Sequence, residues 1–377
     1  MSGINFGDFV RSQYTPIPLP EHDFTGQTII VTGAGRGLGR EAALHFVRLH
    51  AETVILAVRD INQGRECEAF IEKSCPSSKG VVETWELDLT KPTLIKQFIA
   101  KSKDLPRLDA VVLNAGMSTF SFETVDGVEK TLATNVLGTF LLAIGLLPAL
   151  REAALAWSIR PRLVLVASEA HAEAIFPERT ASDIFGALND ASKSDMTDRY
   201  NTTKMLQLLA FHGLRDAVDA SPPNAIIFTA VDPGLCHTGL TRELPLFFRA
   251  IHRVMRTLLA RTAEVGSRCF VQGAADNGAD HHGAYLKDGV LGRYVSKSPG
   301  QNNAKTTPTN GKYKTTDIAW KTFRCGDEPH GSGAAGTGIR PAGLGAIFPG
   351  SGDGVERTAG GARGGGNPRL LKRLALG

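Results

Sequence analysis

Cysteine is scarce in this chain of 377 residues and its spacing is uninformative. The five thiols, Cys67, Cys75, Cys236, Cys269 and Cys325, are odd in number and none stands in a C-x-x-C pair. That pattern excludes a disulfide framework and points to a reducing, cytoplasmic compartment. Cys236 lies near a candidate site and reads as a small packing residue rather than a nucleophile. The first residues, MSGINFGDFVRSQYTPIPLPEHDF, contain no apolar core of a secretion signal. The longest apolar run, TFLLAIGLLPAL at 139–150, is too short to span a bilayer and reads as a buried helix. Charge of one sign is also missing where it would matter. The net charge is +4, but residues 301–377 hold 11 Lys and Arg against 5 Asp and Glu. The first 300 residues are therefore at −2, which gives no electrostatic footprint for nucleic acid. Metal ligands are not clustered either: His281 and His282 are adjacent, point apart on a helix, and have no third partner nearby.

What is present is a globular composition, 42% hydrophobic and 21% charged, enough to bury a large core. Residues 1–26 read as a loose arm ending in a turn, with the folded domain over 24–299. Apolar strands are expected within 27–32, 53–60, 81–89, 107–116, 161–171, 224–234 and 284–286. Helices are expected after the first strand, over 61–74, 91–102, 128–154 and 198–219, and in 247–275. The strands are continuous apolar runs alternating with helices. This predicts an α/β fold with a parallel sheet covered on both faces, which binds ligands at the carboxyl ends of its strands. From 331 to 377 there are 15 glycines in 47 residues. Such a composition cannot offset the entropy of ordering, so 300–377 reads as a disordered tail.

The first strand runs into TGAGRGLGR, which places Gly33, Gly37 and Gly39, with Arg36 and Leu38 between them, ahead of a helix. Glycines let a backbone approach a pyrophosphate, and a helix N-terminus presents free N–H groups to it. At the end of the second strand a carboxylate would hold the ribose 2′-hydroxyl of NAD. Arg59 stands there, 20 residues after Gly39. Together with Arg36 it favours NADP(H), whose 2′-phosphate pairs with guanidinium groups. Asp60, the next residue, keeps NAD as the alternative. Asp88 closes another strand and could accept from the adenine amine. Asn114, Ala115 and Gly116 end the fourth strand in a small turn against which a cofactor could lie.

Tyr200 and Lys204, in RYNTTK, stand one helical turn apart on one face. An ammonium beside a phenol would lower its pKa and suit it to proton transfer. Ser168 ends the fifth strand, 32 residues earlier, and could donate to a carbonyl oxygen that the tyrosine protonates. Asn135 is a polar residue in an apolar helix. It could hold a water linking Lys204 to solvent, or it could be a satisfied core amide. His171 and His237 would flank the pocket.

Taken together and in this order, the glycine loop, the NAG strand end, Asn135, Ser168, Y-x-x-x-K and a later DPG resemble the short-chain dehydrogenase/reductase family over about residues 24–295. The resemblance implies a single Rossmann domain with a mostly parallel seven-stranded sheet and hydride transfer between NAD(P) and a carbonyl/alcohol pair. It implies Asn135, Ser168, Tyr200 and Lys204 as the catalytic tetrad. Pro233 and Gly234 would line the nicotinamide, and Thr238 would touch its carboxamide or the pyrophosphate. The phrasing is similar to retinol-dehydrogenase-like members and to fungal relatives, many of them in secondary metabolism. The implied partner is a moderately hydrophobic small molecule, with dimers or tetramers typical. A non-catalytic NADP-binding sensor or scaffold is the alternative. The pattern departs from the family after YVSKSPGQ, where the Gly-rich tail replaces a short ordered end, through natural extension or a reading-frame or splice difference.

Overall fold

The computed structural model describes residues 5–222, 225–240, 253, 255–275 and 281–291. The tail at 300–377, and residues 247–252 and 254 of the helical stretch expected in 247–275, lie outside the described residues. Ten short strands occur among the described residues: β1 (Thr28–Thr32), β2 (Thr53–Val58), β3 (Val82–Glu86), β4 (Ala110–Leu113), β5 (Thr124–Val125), β6 (Val128–Glu129), β7 (Arg162–Val166), β8 (Ile227–Asp232), β9 (Ala284–Lys287) and β10 (Val290–Leu291). Eight form one sheet in the order β10-β9-β8-β7-β4-β1-β2-β3, and β5 pairs with β6 in a small hairpin. The seven strands β3 to β9 of that order run parallel. The expected count of seven is corrected to eight by β10, which returns antiparallel to β9. The cause is the two-residue turn Asp288-Gly289, both with positive φ, a chain reversal that Asp-Gly favours.

Strands β1, β4, β7 and β8 are buried at every position, which is why they read as unbroken apolar runs. β3 mixes buried with exposed positions, as suits a strand at the sheet's edge. Helices α2 (Gly37–Arg48), α3 (Ile61–Ser74) and α8 (Ala263–Ala274) cover one face. Helices α4 (Pro92–Ser102), α5 (Lys130–Trp157) and α7 (Arg199–Asp219) cover the other. A short α6 (Ile184–Leu188) precedes α7. At 28 residues, α5 is by length and composition apolar enough to cross a membrane, longer than the run picked out in the sequence. Most of its apolar face is instead core: Leu142, Leu146 and Leu150 are fully buried.

The N-terminal arm is not loose. Asn5 caps α1 (Phe6–Tyr14) by accepting from the Gly7 N–H, and Ser12 and Gln13 are buried against the body. The strand order reverses between β1 and β4, on either side of which the chain leaves in opposite directions. A crevice at that point, outside the carboxyl ends, is where such sheets bind ligands.

Candidate active site

The glycine loop follows β1 and is shaped by close contact. Gly33 and Gly37 have φ of 67° and 58°, the left-handed region that glycine enters without a Cβ penalty. A Cβ on Gly39 would stand 2.5 Å from the Gly33 carbonyl oxygen, and one on Gly33 would stand 3.0 Å from Ala115 Cα. The first turn of α2 carries no acidic side chain, so its N–H groups and positive dipole end face the loop uncompensated. Leu38 packs toward α8, its Cδ2 2.9 Å from where a Cβ on Gly266 would sit.

Asn114 has a different task from the cofactor contact expected of it. Its Nδ2 donates to the carbonyls of Thr32 (2.8 Å) and Gly33 (3.3 Å). The Thr32 hydroxyl in turn accepts from the Asn114 and Ala115 amides, both at 2.9 Å. Asn114 therefore staples the end of β4 to the glycine loop. Gly116 lies over Asn135, where an added Cβ would meet Oδ1 at 3.3 Å.

Arg36 and Arg59 are both exposed at the rim. Asp60 Oδ1 caps α3 by accepting from the Asn62 (2.9 Å) and Gln63 (3.4 Å) amides. Asp88 Oδ1 accepts from the amide (2.9 Å) and hydroxyl (2.7 Å) of Thr90. Both are side-chain-capped turns, a common duty of Asp.

Ser168 follows β7 and caps a short 3₁₀ turn, Glu169–Glu173. Its side chain also hydrogen-bonds Tyr200 near the start of α7. Lys204, one turn on, is 5% exposed; its Nζ donates to the Val166 carbonyl at 2.9 Å and sits 5.8 Å from the centre of the Tyr200 ring. Burial dominates both titrations. It pulls the Lys204 ammonium down to about 8, with Asp232 opposing, and it raises Tyr200 above its ordinary value, with the Ser168 hydrogen bond opposing. The sequence expectation that Lys204 would draw the phenol downward is thus corrected. Desolvation of the phenolate outweighs the groups that favour it.

Asn135 sits on a π-helical turn, Ala133–Gly138, inside α5, a deformation common at functional sites. It is fully buried. Its Oδ1 accepts from the Met117 amide (2.9 Å), and its two N–H groups go to the Met117 carbonyl (2.9 Å) and the Thr203 hydroxyl (3.1 Å). Its own carbonyl accepts from Gln207 Nε2 at 2.6 Å. Of the two sequence readings, the side-chain geometry is that of the satisfied core amide, tying the loop after β4 to α7. The donors that would have held a water are already used.

Pro233, Gly234 and Thr238 follow β8. Gly234 has φ of 71° and its N–H donates to Asp232 Oδ1 at 2.9 Å. Thr238 lies above the glycine loop, its Cγ2 3.9 Å from the Cβ position of Gly37. Cys236 is buried and its thiol is pushed up to about 12, which fits packing and not nucleophilic attack. His171 Nδ1 bonds the Ser168 carbonyl at 2.6 Å and its ring stacks edge-on to Tyr285.

The structure also supplies supports that the sequence reading missed. Asp198 accepts from the amides of Ile175 (3.1 Å) and Phe176 (3.0 Å) and from the Thr202 hydroxyl (2.7 Å). It locks the segment after Ser168 to the first turn of α7. Arg199, 1% exposed, lies between Glu129 (3.7 Å) and Glu178 (3.4 Å). Buried Asp232 accepts from the Tyr285 hydroxyl at 2.8 Å. The available signal was the adjacency of two charged residues to Tyr200 and the aspartate in DPG.

Comparison with known proteins agrees with this geometry. Residues 27–175 match the family model for short chain dehydrogenases. The short chain dehydrogenase FGM9 of Gibberella zeae is 67% identical over 293 residues, 78% of this chain and 85% of that one. The short chain dehydrogenase atnD of Emericella nidulans is 44% identical over 291 residues, 77% of this chain and 92% of that one. Among solved structures, a short chain dehydrogenase of Shigella flexneri 2a, complexed with NADP, superposes with a TM-score of 0.51 at 20% identity, over 71% of this chain and 98% of that one. The strand order, the glycine loop at the switch point and these relatives lead to one assignment: the chain belongs to the short-chain dehydrogenase/reductase family of oxidoreductases.

Proposed function

We propose that the chain is an NADP(H)-dependent carbonyl reductase or alcohol dehydrogenase for a moderately hydrophobic substrate, serving fungal secondary metabolism. The observation that carries this reading is the Ser168–Tyr200 hydrogen bond with Lys204 buried one turn away, all at the carboxyl ends of β7 and β8 beside the glycine loop.

The residues fit a dinucleotide. Gly33, Gly37 and Gly39 leave room for backbone to approach a pyrophosphate, and Thr238 stands above them. Arg36 and Arg59 are exposed and would be available to a 2′-phosphate, while Oδ1 of the adjacent Asp60 caps α3. That division of labour favours NADP over NAD. Asp88, Ala115 and Gly116 would border the adenosine half, and Pro233 and Gly234 the nicotinamide. NADP(H), when bound, supplies or accepts the hydride.

The chain's own residues manage the proton. Tyr200, held protonated by burial, is a donor at neutral pH to an oxygen placed against it. Ser168 holds that oxygen through its hydroxyl. Lys204, still charged at neutral pH, stabilises negative charge appearing on Tyr200 and offers N–H groups to a ribose. Asn135 keeps the π-turn and α7 in register rather than carrying the proton itself.

The test is titration of the purified protein with NADPH and NADH by nucleotide fluorescence, followed by a carbonyl substrate screen. NADPH should bind at least tenfold more tightly. Tyr200→Phe should abolish turnover and leave NADPH affinity within a few-fold. Full turnover in that variant would sink the mechanism, and equal affinity for the two nucleotides would sink the cofactor assignment.

A further inference from the structure

Helix α1 reaches over the carboxyl end of β8 and grips the chain in two places. Gln13 is 5% exposed. Its Nε2 donates to the Leu235 carbonyl and to the Leu259 carbonyl, both at 2.9 Å, and its Oε1 accepts from the Leu235 amide at 3.0 Å. One amide therefore joins the chain just after DPG to the chain just before Arg261, using both donors and an acceptor. The fit is close: a Cβ on Gly234 would stand 2.5 Å from Gln13 Oε1. Arg261, 6% exposed, makes a second grip. Its guanidinium donates to the Pro233 carbonyl (3.1 Å), the Thr15 carbonyl (3.2 Å), the Ser12 carbonyl and Asp288 Oδ1 (2.6 Å). The Ser12 hydroxyl donates to Asp288 as well, at 2.7 Å.

These contacts converge on the strip that carries Thr238. Arg261 N donates to the Leu235 carbonyl and His237 N to the Arg261 carbonyl, each at 2.9 Å, with Cys236 and Arg261 bridged in parallel. Thr238 is the next residue after His237, and its methyl is the side-chain group that approaches Gly37.

We propose that Gln13 is a positioning residue of the active site: by tying Leu235 to Leu259 it fixes the strip that holds Thr238 over the glycine loop, so that the N-terminal helix sets nucleotide affinity. This rests on the proposed function for its consequence, though not for its geometry. Two substitutions separate the shape of the side chain from its hydrogen bonds. Gln13→Met fills the same space with no hydrogen bond. Gln13→Glu keeps an acceptor for Leu235 N–H and sets a carboxylate against two carbonyls.

The experiment uses the full chain. NADPH titration of the wild type and both variants is paired with hydrogen exchange of peptides covering 229–240 and 255–262. Gln13→Met should weaken NADPH binding about tenfold, which is about 1.4 kcal/mol, and Gln13→Glu at least as much. Exchange at Leu235, His237 and Arg261 should accelerate in both, while peptides from β1 and β4 stay unchanged. NADPH affinity in Gln13→Met within twofold of wild type would overturn the proposal, because it would make Gln13 a space-filling residue. If the wild type binds no nucleotide, the functional reading falls; unchanged exchange in 229–240 would then overturn the clamp as well, and accelerated exchange would support it.

Discussion

Replacing Lys204 by Met should make the protein more stable and destroy its activity. Lys204 is 5% exposed, and burial moves its ammonium from 10.5 to about 8. At about 1.4 kcal/mol per tenfold change in the proton equilibrium, the folded state carries the charge at a cost of about 3 kcal/mol. Methionine fills a similar volume without that cost. It also leaves the Val166 carbonyl without the 2.9 Å donor from Nζ, a loss of about 1 kcal/mol. The net gain is about 2 kcal/mol, or a rise in Tm of about 4–8 °C for a domain of this size. The pH dependence identifies the cause. Below pH 8 the lysine is charged in both folded and unfolded states, so the full cost is present. Between about 8 and 10.5 the unfolded chain holds a proton that the folded chain has lost, so wild-type stability rises with pH relative to the variant. Above 10.5 both states are neutral and the charge cost is gone, which leaves the variant about 1 kcal/mol less stable through its missing hydrogen bond. Thermal melts of the two proteins at pH 7 and pH 10.5 read this directly. A variant that melts below wild type at pH 7, or a gap of equal size at both pH values, would refute the reasoning. The accompanying loss of turnover would show stability given up for function at this position.

Three further outcomes are expected. Gly39→Ala puts a Cβ 2.5 Å from the Gly33 carbonyl oxygen and 2.9 Å from Ala34 Cα; it should cost about 2 kcal/mol in a denaturant melt and weaken NADPH binding at least tenfold. Arg59→Glu removes a 2′-phosphate partner and supplies a ribose acceptor, so the NADPH-to-NADH affinity ratio should fall by about two orders of magnitude in a paired titration; an unmoved ratio would remove Arg59 from the cofactor site. Asp198→Ala strands the Ile175 and Phe176 amides and the Thr202 hydroxyl; chemical denaturation should report a loss of about 3 kcal/mol, with kcat falling because the first turn of α7 carries Tyr200.

The sequence by itself determined the fold class, because strands buried on both faces must be apolar throughout and helices between them force a parallel sheet. It also marked the glycine loop and the Ser168, Tyr200 and Lys204 group, because each lies at a strand end or on a helix whose local pattern is readable and Tyr200 and Lys204 share one helical turn. β10 was illegible because a two-residue strand leaves no periodicity, only its Asp-Gly turn. The arm was misread for a physical reason: Ser12 and Gln13 are polar residues whose partners lie more than 220 positions away, and no local pattern announces such a contact. Tertiary structure alone decided which polar groups carry structural hydrogen bonds. Asn114 holds the glycine loop, Asp60 caps α3 and Asn135 joins Met117 to Thr203. It also reversed the sign expected at Tyr200, because a pKa depends on how much water is excluded around the charge, and burial is a property of the packed chain rather than of a four-residue spacing.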